Sequence, residues 1–461
     1  MTAFEGESIA AALHANEVKV LSHSLRYDRP RGFFCGIGKC SSCFMTVNHI
    51  PNIRTCIVPV QQQMTVTEQQ KLGKLLPTPF TPKKKENITR EIVVVGAGPA
   101  GMYAALAAAE QGASVLLIDE NNEPGGQLVK QTHKFFGSTE EKAGTRGIDI
   151  AKELLNTIKN KKTIELLTST TVVGYYENEH MHRVIAVKRL INGDQLLEIS
   201  CKKMIVACGA MENMLAFPGN DLPGVYGAGG VQTLMNVYGV KPGDRALMIG
   251  AGNVGLIVSY QLLQAGVTVD RVVEAMPRIG GYHVHAAKLR RCGVPIVTSS
   301  TIKETFGKNH VEGAVVTKVD ECFQPIPGTE ETIQCDTICL AVGLTPSIRI
   351  LEQAKVRSEF IPEAGGMVAL HTPLLETTKN GIYVAGDASG IEEASTAMIE
   401  GELAGVSAAM SLGHNKNASE VQQKCKNALH VFRSGPFGRI PKICKEKISS
   451  CLEYDEGGTH Y

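Results

Sequence analysis

The sequence predicts an α/β protein with two Rossmann-like dinucleotide-binding domains that follow a small cysteine-rich domain. Three observations support this prediction: a G-x-G-x-x-G fingerprint begins at Gly96, a second begins at Gly250, and four cysteines lie between Cys35 and Cys56. Each fingerprint follows an apolar run typical of a strand and precedes a run rich in Ala or Leu that is typical of a helix. A chain of 461 residues has room for roughly two to four domains.

The cysteine-rich domain carries the first candidate site. Its spacing, C-x4-C-x2-C and then a distant fourth cysteine, is typical of a plant-type [2Fe–2S] cluster, which four thiolates hold. Gly36 and Gly38 allow positive φ, so that backbone N–H groups can point at the sulfurs. A structural zinc site and unrelated thiols are the alternatives, but zinc sites favour two C-x2-C pairs and this domain has one. The predicted ligands, which would transfer one electron at a time, are Cys35, Cys40, Cys43 and Cys56.

Local patterns place this cysteine loop between a short helix and a hairpin. A helix capped by Ser8 is expected to continue to Leu13, and residues 44–47 and 53–56 indicate two strands joined by a turn. Residues 71–90 are rich in Pro, Thr and Lys, a composition typical of a linker. We interpret the lysines at 83–85 as part of a solvated tether rather than a docking patch.

The first glycine fingerprint predicts a dinucleotide site. It consists of Gly96, Gly98 and Gly101, and the strand after its helix ends at Asp119. The glycines would allow the tight turn, the approach of the backbone to a pyrophosphate and the close packing of helix on strand. The positive end of the helix would face the pyrophosphate, and Asp119 would accept hydrogen bonds from the ribose hydroxyls.

The second fingerprint repeats this pattern with Gly250, Gly252 and Gly255, and its next strand ends at Glu274. An acid at this position favours a free 2′-hydroxyl and repels a 2′-phosphate, so NAD(H) is favoured over NADP(H). Two such folds imply two bound nucleotides, or one bound nucleotide and one vestigial site.

A third motif lies near residue 386. Residues 380–385 indicate a strand that ends at Gly386 and Asp387, before a helix expected over residues 393–410. In a flavin site this geometry places Asp387 near the ribityl and phosphate groups. The helix N-terminus can then stabilise negative charge on the reduced ring.

Composition excludes several classes of function. The formal net charge of +1 leaves no electrostatic footprint for nucleic acid or an anionic membrane. No apolar run approaches the roughly 20 residues of a membrane span. An odd number of cysteines, 13, and the lack of a signal-peptide pattern predict a cytoplasmic protein with mostly buried thiols.

The three nucleotide motifs, in this order, resemble the two-dinucleotide-binding flavoproteins, which include the thioredoxin reductases. The resemblance covers residues 91 to about 410 and implies that a pyridine-nucleotide domain is inserted into an FAD-binding domain. The chain departs from the disulfide reductases because no redox C-x-x-C follows Cys43. By resemblance, the FAD contacts are Gly96, Gly98, Gly101 and Asp119 for the ADP half, Gly126 and Gln127 near the flavin, Gly209 beside the adenine ribose, and Gly386 with Asp387 along the ribityl chain.

The whole chain resembles a narrower group, the α-type subunits of bacterial amine and amino-acid dehydrogenases such as opine oxidase, dye-linked proline dehydrogenase, hydrogen cyanide synthase and heteromeric sarcosine oxidase. The pattern C-G-x-G-x-C-x-x-C at Cys35–Cys43 and the stretches 208–210 and 222–225 carry this resemblance. It implies a β-grasp ferredoxin-like domain followed by two nested Rossmann-like domains, and a partner β subunit with its own flavin. In this group the second site need not exchange hydride with NAD(H) and can hold another adenine nucleotide. The first strand of the ferredoxin-like domain has no counterpart here, because residues 6–8 match the segment before its first helix.

The resulting domain prediction has six parts. These are a [2Fe–2S] ferredoxin-like domain at 1–70, a linker at 71–90, an FAD-binding domain at 91–225 and 335–412, an inserted NAD-binding-like domain at 226–334, and a C-terminal extension at 413–461.

Other candidate residues are interpreted as structural. His283 and His285 are expected in a solvent-facing loop, and Cys335 and Cys339 in a buried strand. His133 is the better candidate for lining the flavin pocket. The tail cysteines at 425, 444 and 451 have the loose spacing of structural thiols rather than of a second cluster.

Three functional hypotheses follow. The first is an electron-transferring α-type subunit of an amino-acid or secondary-amine dehydrogenase. A partner β subunit would oxidise a substrate such as proline, sarcosine or an opine, and this chain would pass the electrons to an external carrier. The second is a self-sufficient NADH:acceptor oxidoreductase that passes electrons from NADH through FAD to the cluster. The third is a structural subunit whose cofactor sites have decayed.

Overall fold

A computed structural model describes residues 1–69, 71–74, 85–135, 142–178, 181–190, 193–435 and 437–456. The chain divides into two compact units. The first unit combines residues 1–74 with Glu212–Gly343, and the second combines residues 85–211 with residues 344–456. The predicted linker prolines at 77, 79 and 82 lie outside the described residues.

The N-terminal part begins with the predicted capped helix. The Ala11 N–H donates to the Ser8 hydroxyl at 3.2 Å, and the helix continues to Ala15. The cysteine loop precedes an antiparallel sheet in which the central strand is the one over Phe44–Val47. The elements of this part are α1 (Ile9–Ala15), β1 (Ser22–His23), β2 (Pro30–Arg31), β3 (Phe44–Val47), β4 (Ile50–Arg54) and β5 (Val66–Glu68).

The next part builds most of the sheet of the second unit. Its elements are β6 (Glu86–Val95), α2 (Pro99–Gln111), β7 (Val115–Ile118), α3 (Gly147–Lys159), β8 (Ile164–Leu167), β9 (Thr170–Asn178), β10 (Met181–Lys188), β11 (Gln195–Val206) and β12 (Ala210–Glu212). Strand β6 pairs in parallel with β7 and β11, as the first fingerprint requires. The pairing corrects one boundary: residues 86–90 belong to β6 rather than to the linker, because they pair in parallel with residues 197–201.

The inserted part has its own five-stranded parallel sheet. Its elements are β13 (Val225–Gly227), α4 (Ala228–Gln232) continued by a π-helix (Thr233–Val237), β14 (Arg245–Ile249), α5 (Asn253–Gln264), β15 (Thr268–Val273), α6 (His283–Arg291), β16 (Ile296–Val297), β17 (Ser300–Phe306), β18 (Gly313–Lys318), β19 (Glu331–Gln334) and β20 (Thr337–Leu340). The strand order is β13-β20-β14-β15-β16, and β17-β18-β19 form a separate antiparallel sheet.

This sheet moves the boundaries of the inserted domain outward from 226–334. Strand β20 pairs in parallel with β13 and β14, so residues 337–340 belong to the inserted sheet and not to the FAD-binding domain. Two further predictions change. His283 and His285 lie at the start of helix α6 rather than in a loop, and Cys335 lies between two short strands instead of inside one long strand. Both Cys335 and Cys339 are buried, as expected of core thiols.

The last part completes the second unit. Its elements are β21 (Leu344–Pro346), α7 (Arg349–Gln353), β22 (Ser358–Ile361), β23 (Gly366–Ala369), β24 (Ile382–Val384), α8 (Ala394–Met410), α9 (Ala418–Ser434) and α10 (Arg439–Glu456). Strand β24 pairs in parallel with β11. Helix α8 packs so closely on α2 that only glycine fits at two of its positions. A Cβ at Gly401 would lie 2.0 Å from the Ala100 carbonyl oxygen, and a Cβ at Gly405 would lie 2.3 Å from that of Ala104.

In the part of the chain that the structure describes, none of the helices combines the length and the apolar character that crossing a membrane requires.

Candidate cofactor-binding sites

The four N-terminal cysteines form a connected group of thiols. Hydrogen bonds link Cys35 to Cys40, Cys35 to Cys56 and Cys43 to Cys56. Three of the thiols are buried and Cys40 is half-buried. Gly36 and Gly38 take positive φ, at 64° and 71°. The Gly38 N–H points at the Cys56 sulfur at 3.3 Å, which is the backbone-to-sulfur contact expected of a cluster loop.

The contacts among these thiols determine which of them ionises most easily. Hydrogen bonds with Cys40 and Cys56 lower the pKa of Cys35, while those with Cys35 and Cys43, together with burial, raise the pKa of Cys56. The thiols therefore share protons and cannot all ionise without positive charge among them. Among the described residues no group of three or more His, Cys, Asp or Glu side chains is arranged, as it stands, to hold a metal ion. The three contacts among the thiols nevertheless join all four cysteines, the number of thiolates that a [2Fe–2S] cluster needs.

The cysteine loop lies directly on helix α4 of the inserted part. The Gly227 N–H donates to the Phe34 carbonyl oxygen at 3.2 Å. A Cβ at Gly230 would lie 2.0 Å from the same oxygen, and a Cβ at Gly36 would lie 3.0 Å from the Cβ of Thr233. At Gly230 a side chain would push the loop backbone away from the helix, and at Gly36 the positive φ favours glycine.

Further contacts join the N-terminal part to the inserted part. Arg29 and Arg31 pair at 3.1 and 3.4 Å with Asp221, whose side chain is only 6% exposed. The His14 ring lies 3.2 Å from the Pro242 carbonyl oxygen. Apolar residues of both parts belong to one continuous core. The sequence did not predict this association, because the contacting residues lie far apart along the chain and carry no shared motif.

The first fingerprint has the stereochemistry of a dinucleotide site. Gly96 has a φ of 102°, and its Cβ would lie 2.4 Å from the Ala207 carbonyl oxygen. A Cβ at Gly101 would lie 1.8 Å from the Gly96 carbonyl oxygen, so the helix packs closely on the turn. The space beside Gly98 is open, since its nearest neighbour, the Gly126 Cα, is 3.9 Å from an ideal Cβ. These are the three glycine roles of a pyrophosphate-binding turn.

Asp119 connects the fingerprint to the next strand. Its carboxylate accepts hydrogen bonds from the Ala97 N–H at 2.7 Å and from the Asn121 N–H at 2.8 Å. Burial raises the pKa of Asp119, and the hydrogen bonds with Asn121 and Ala97 oppose that rise. The Asn121 side-chain N–H also donates to Oδ1 at 3.0 Å, so both lone pairs of Oδ1 have donors. Oδ2, which accepts from the Ala97 N–H, keeps a lone pair that can accept from a ribose hydroxyl.

Other predicted FAD contacts converge on the N-terminus of α2. The Gly125 N–H donates to the Ala97 carbonyl oxygen at 2.8 Å, and a Cβ at Gly126 would lie 2.8 Å from the Gly98 Cα. A Cβ at Gly386 would lie 2.8 Å from the Ala100 side chain. The fingerprint, the glycine pair at 125–126 and the turn at 386 therefore meet, as an FAD molecule would require.

The remaining predicted FAD contacts are less tightly placed. Gln127 is exposed in a 3-10 helix over Gly126–Lys130, and the His133 ring stacks on Phe135. Gly209 has a φ of 64°, and its carbonyl oxygen accepts from the Ser347 N–H at 2.9 Å. Asp387 is partly buried, and the Glu392 N–H is 3.4 Å from its carboxylate. Its free lone pairs suit a ribityl hydroxyl.

The second fingerprint repeats the first in detail. Gly250 has a φ of 106°, and a Cβ at Gly255 would lie 2.0 Å from its carbonyl oxygen. The space beside Gly252 is open. Glu274 accepts from the Ala251 N–H at 2.8 Å, as Asp119 does in the first site. The inserted fold therefore keeps the shape of a nucleotide site.

A glycine pair that sequence reasoning missed completes this likeness. The Gly281 N–H donates to the Ala251 carbonyl oxygen at 2.9 Å, just as the Gly125 N–H donates to that of Ala97. The signal was present, because a Gly-Gly pair follows the acid in both halves, at residues 125–126 after Asp119 and at residues 280–281 after Glu274.

Comparison with known proteins identifies the family. The model of the pyridine nucleotide-disulphide oxidoreductases matches residues 90–401, which is more than half of the chain. The chain belongs to this family. Residues 1–71 match a second model, that of the 2Fe-2S iron-sulfur cluster binding domain. The residues described above fit both cofactors, FAD in the second unit and a [2Fe–2S] cluster in the N-terminal part.

Individual relatives cover most of this family member. The sarcosine oxidase alpha chain of Corynebacterium sp. (strain P-1) is 26% identical over 449 residues, which cover 92% of this chain and 44% of the relative. An opine oxidase subunit of Rhizobium meliloti is 28% identical over 342 residues, covering 70% of this chain and 63% of the relative. The crystal structure of L-proline dehydrogenase from P. horikoshii has the same fold, with a TM-score of 0.68 at 24% identity, covering 92% of this chain and 74% of that one. The chain spans about half the length of the sarcosine oxidase relatives it matches.

One feature separates this family member from those that reduce disulfides. No C-x-x-C pair occurs between residues 90 and 401. The described cysteines of that range form no disulfide bonds, and Cys201, Cys335 and Cys339 are buried with pKa values raised by burial. Buried thiols with raised pKa values are poor nucleophiles, and no two cysteines of that range have the C-x-x-C spacing of a redox dithiol.

Proposed function

We propose that this chain is the electron-transferring α-type subunit of an FAD- and [2Fe–2S]-dependent amino-acid or secondary-amine dehydrogenase. The observation that carries the proposal is the combination of sites in one chain: a flavin site without a redox dithiol, and a four-thiol cluster site. Among the sites described, the cluster is then the acceptor of flavin electrons. Support comes also from the relatives, since the sarcosine oxidase and opine oxidase matches are both named as subunits.

In this proposal a partner subunit with its own flavin oxidises the substrate. A secondary amine such as proline, sarcosine or an opine loses hydride to the partner flavin and a proton to solvent, and becomes an imine. The two electrons pass to the FAD of this chain, which can accept a pair and release single electrons. They leave one at a time through Cys35, Cys40, Cys43 and Cys56 to an external one-electron carrier.

The test compares the lone chain with the chain isolated together with its bound subunits. Proline, sarcosine or an opine is added anaerobically while the flavin and cluster absorption bands are followed. We expect both bands to bleach only when the flavin-containing partner is present. A lone chain that oxidises one of these amines at about 1 s⁻¹ or faster would contradict the proposal.

A second candidate function is an NADH:acceptor oxidoreductase that needs no partner. The observation in its favour is the intact geometry around Gly250, Gly255 and Glu274. Anaerobic titration with NADH decides between the two, with Glu274→Ala as the matched variant. If NADH rapidly bleaches the flavin and cluster bands, and Glu274→Ala abolishes this bleaching, the chain is an NADH oxidoreductase. Bands that NADH leaves unchanged would favour the amine dehydrogenase subunit.

A further inference from the structure

The C-terminal helices contribute two cations to a buried group of charges beside the turn at Gly386–Ser389. Arg433 lies near the end of α9 and Lys445 lies in α10. Their side chains are 16% and 14% exposed, and both contact Glu400 of α8, which is 2% exposed. Charges buried to this extent are stable only when they are paired and hydrogen-bonded.

The two oxygens of Glu400 have different partners. Oε2 accepts from the Gly386 N–H at 3.0 Å and from the Ser389 hydroxyl at 2.6 Å. Oε1 accepts from Arg433 Nη2 at 2.6 Å and from Lys445 Nζ at 2.9 Å. One side of the carboxylate therefore holds the turn, while the other side is held by the C-terminal cations. Hydrogen bonds to an ionised group are roughly twice as strong as neutral ones.

Lys445 also contacts the turn directly. Its Nζ donates to the Ser389 carbonyl oxygen at 2.8 Å and lies 2.9 Å from the Ser389 hydroxyl. Arg433 reaches the same segment through Glu392, to which it donates at 2.8 and 3.2 Å. The Glu392 N–H in turn lies 3.4 Å from the carboxylate of Asp387.

The charge state of Glu400 depends on these cations. Burial alone would raise the pKa of Glu400, but Lys445 and Arg433 outweigh burial and hold that pKa well below its usual range. If one cation were removed, a buried carboxylate would be left partly uncompensated next to the turn. Breaking one side of a buried ion pair is much more disruptive than losing a surface pair.

We propose that Arg433 and Lys445 are positioning residues of the FAD site, which fix the Gly386–Asp387 turn through Glu400 and so determine the affinity for FAD. The described part of the extension at 413–461 then has a defined role, because it supplies the two cations that hold this turn in place. This inference holds for either candidate function, because it concerns the binding of FAD and no substrate.

The experiment measures FAD binding by Lys445→Met and Arg433→Met. Apoprotein is titrated with FAD and followed by flavin fluorescence, while cluster content is measured in the same samples by absorption. We expect the dissociation constant for FAD to rise at least about tenfold, which corresponds to about 1.4 kcal/mol. Cluster content should stay unchanged, because the cluster lies in the other compact unit.

A matched control and a conservative variant sharpen the test. Lys442 lies in the same helix, but its side chain is 55% exposed and pairs with Glu446 at the surface. The Lys442→Met variant should therefore bind FAD normally. Lys445→Arg retains the charge and should keep more affinity than Lys445→Met. An unchanged dissociation constant in both Lys445→Met and Arg433→Met would overturn the proposal. Loss of FAD together with the cluster would overturn it too, because the cations would then serve the stability of the whole chain.

Discussion

Asp387, a predicted FAD contact, has a carboxyl group whose pKa is strongly shifted by its surroundings. Burial raises its pKa to about 7, the Glu392 N–H opposes this rise, and the nearby carboxylates of Glu400 and Glu392 add to it, while Lys445 opposes it. The folded pKa therefore exceeds the ordinary value of 3.8. The stabilising effect of this protonated carboxyl is complete below that ordinary value and is lost as the pH rises through the folded pKa.

The first prediction concerns the pH dependence of FAD binding. A ribityl hydroxyl that donates to Asp387 favours the ionised carboxylate, so FAD binding should release a proton. We expect the affinity for FAD to rise between about pH 6 and about pH 8, and Asp387→Asn to weaken binding and remove most of this dependence. Isothermal titration calorimetry in buffers with different ionisation enthalpies measures both effects. An equally steep pH dependence in Asp387→Asn would assign the titration to another group.

The second prediction concerns Cys56, the most completely buried of the four candidate ligands. Cys56→Ser should abolish the [2Fe–2S] absorption, because its thiol contacts both Cys35 and Cys43. FAD should remain bound, since its site lies in the other compact unit.

The control for this variant is Cys292→Ser, which replaces an exposed cysteine of the same unit and should change neither cofactor. Cluster content is read from the visible spectrum of the intact protein, and FAD content from the spectrum of the flavin extracted from the same sample. Loss of FAD in Cys56→Ser would show that the two sites depend on each other for folding.

At the scale of elements, helix α4 is the part of the inserted fold that contacts the cluster loop. It continues directly into the π-helix at Thr233–Val237, and short π-helical turns are frequent at functional sites. The loop and the helix approach so closely that Gly230 leaves no room for a side chain beside Phe34. The cluster loop thus packs on an element that is distant from it in sequence.

The third prediction tests this contact. Gly230→Ala would place a methyl group 2.0 Å from the Phe34 carbonyl oxygen, so the loop must move. We expect a destabilisation of roughly 1–3 kcal/mol, a typical cost of overpacking, and a cluster that is lost faster in air. Thermal unfolding and the decay of cluster absorption measure the two effects.

Gly280→Ala is a suitable control, since that glycine has open space around it and lies in the same unit. A Gly230→Ala protein with normal cluster lifetime and normal stability would contradict the role assigned to α4.

At the scale of the whole molecule, the chain passes three times between the two compact units. The N-terminal residues and Glu212–Gly343 form one unit, although more than a hundred residues separate them in sequence. Their apolar side chains form one continuous core, which includes Ile9, Phe33, Tyr226 and Val231. The sequence had predicted an independent domain on a tether.

The fourth prediction follows from this shared core. A fragment of residues 1–74 would expose apolar side chains that Tyr226 and Val231 cover in the full chain, and it would lose the partner of Arg29 and Arg31. We expect it to bind little or no cluster after reconstitution with iron and sulfide, while the full chain treated in parallel recovers its cluster. Electron paramagnetic resonance of the reduced samples measures the difference. A fragment with a full, stable cluster would restore the tethered-domain hypothesis.

The sequence by itself determined the fold class, the family and both cofactors, because these depend on local patterns. A glycine that needs positive φ, an acid at a strand end and a cysteine at fixed spacing act within a few residues of chain, and the matches to both family models agree with them. Only the tertiary structure decided how the pieces combine. The contact of Gly230 with the cluster loop, the inclusion of β20 in the inserted sheet and the approach of Arg433 and Lys445 to Glu400 each join residues with no common motif. Such contacts arise from burial and charge pairing between distant segments, and local sequence carries no periodic signal for them.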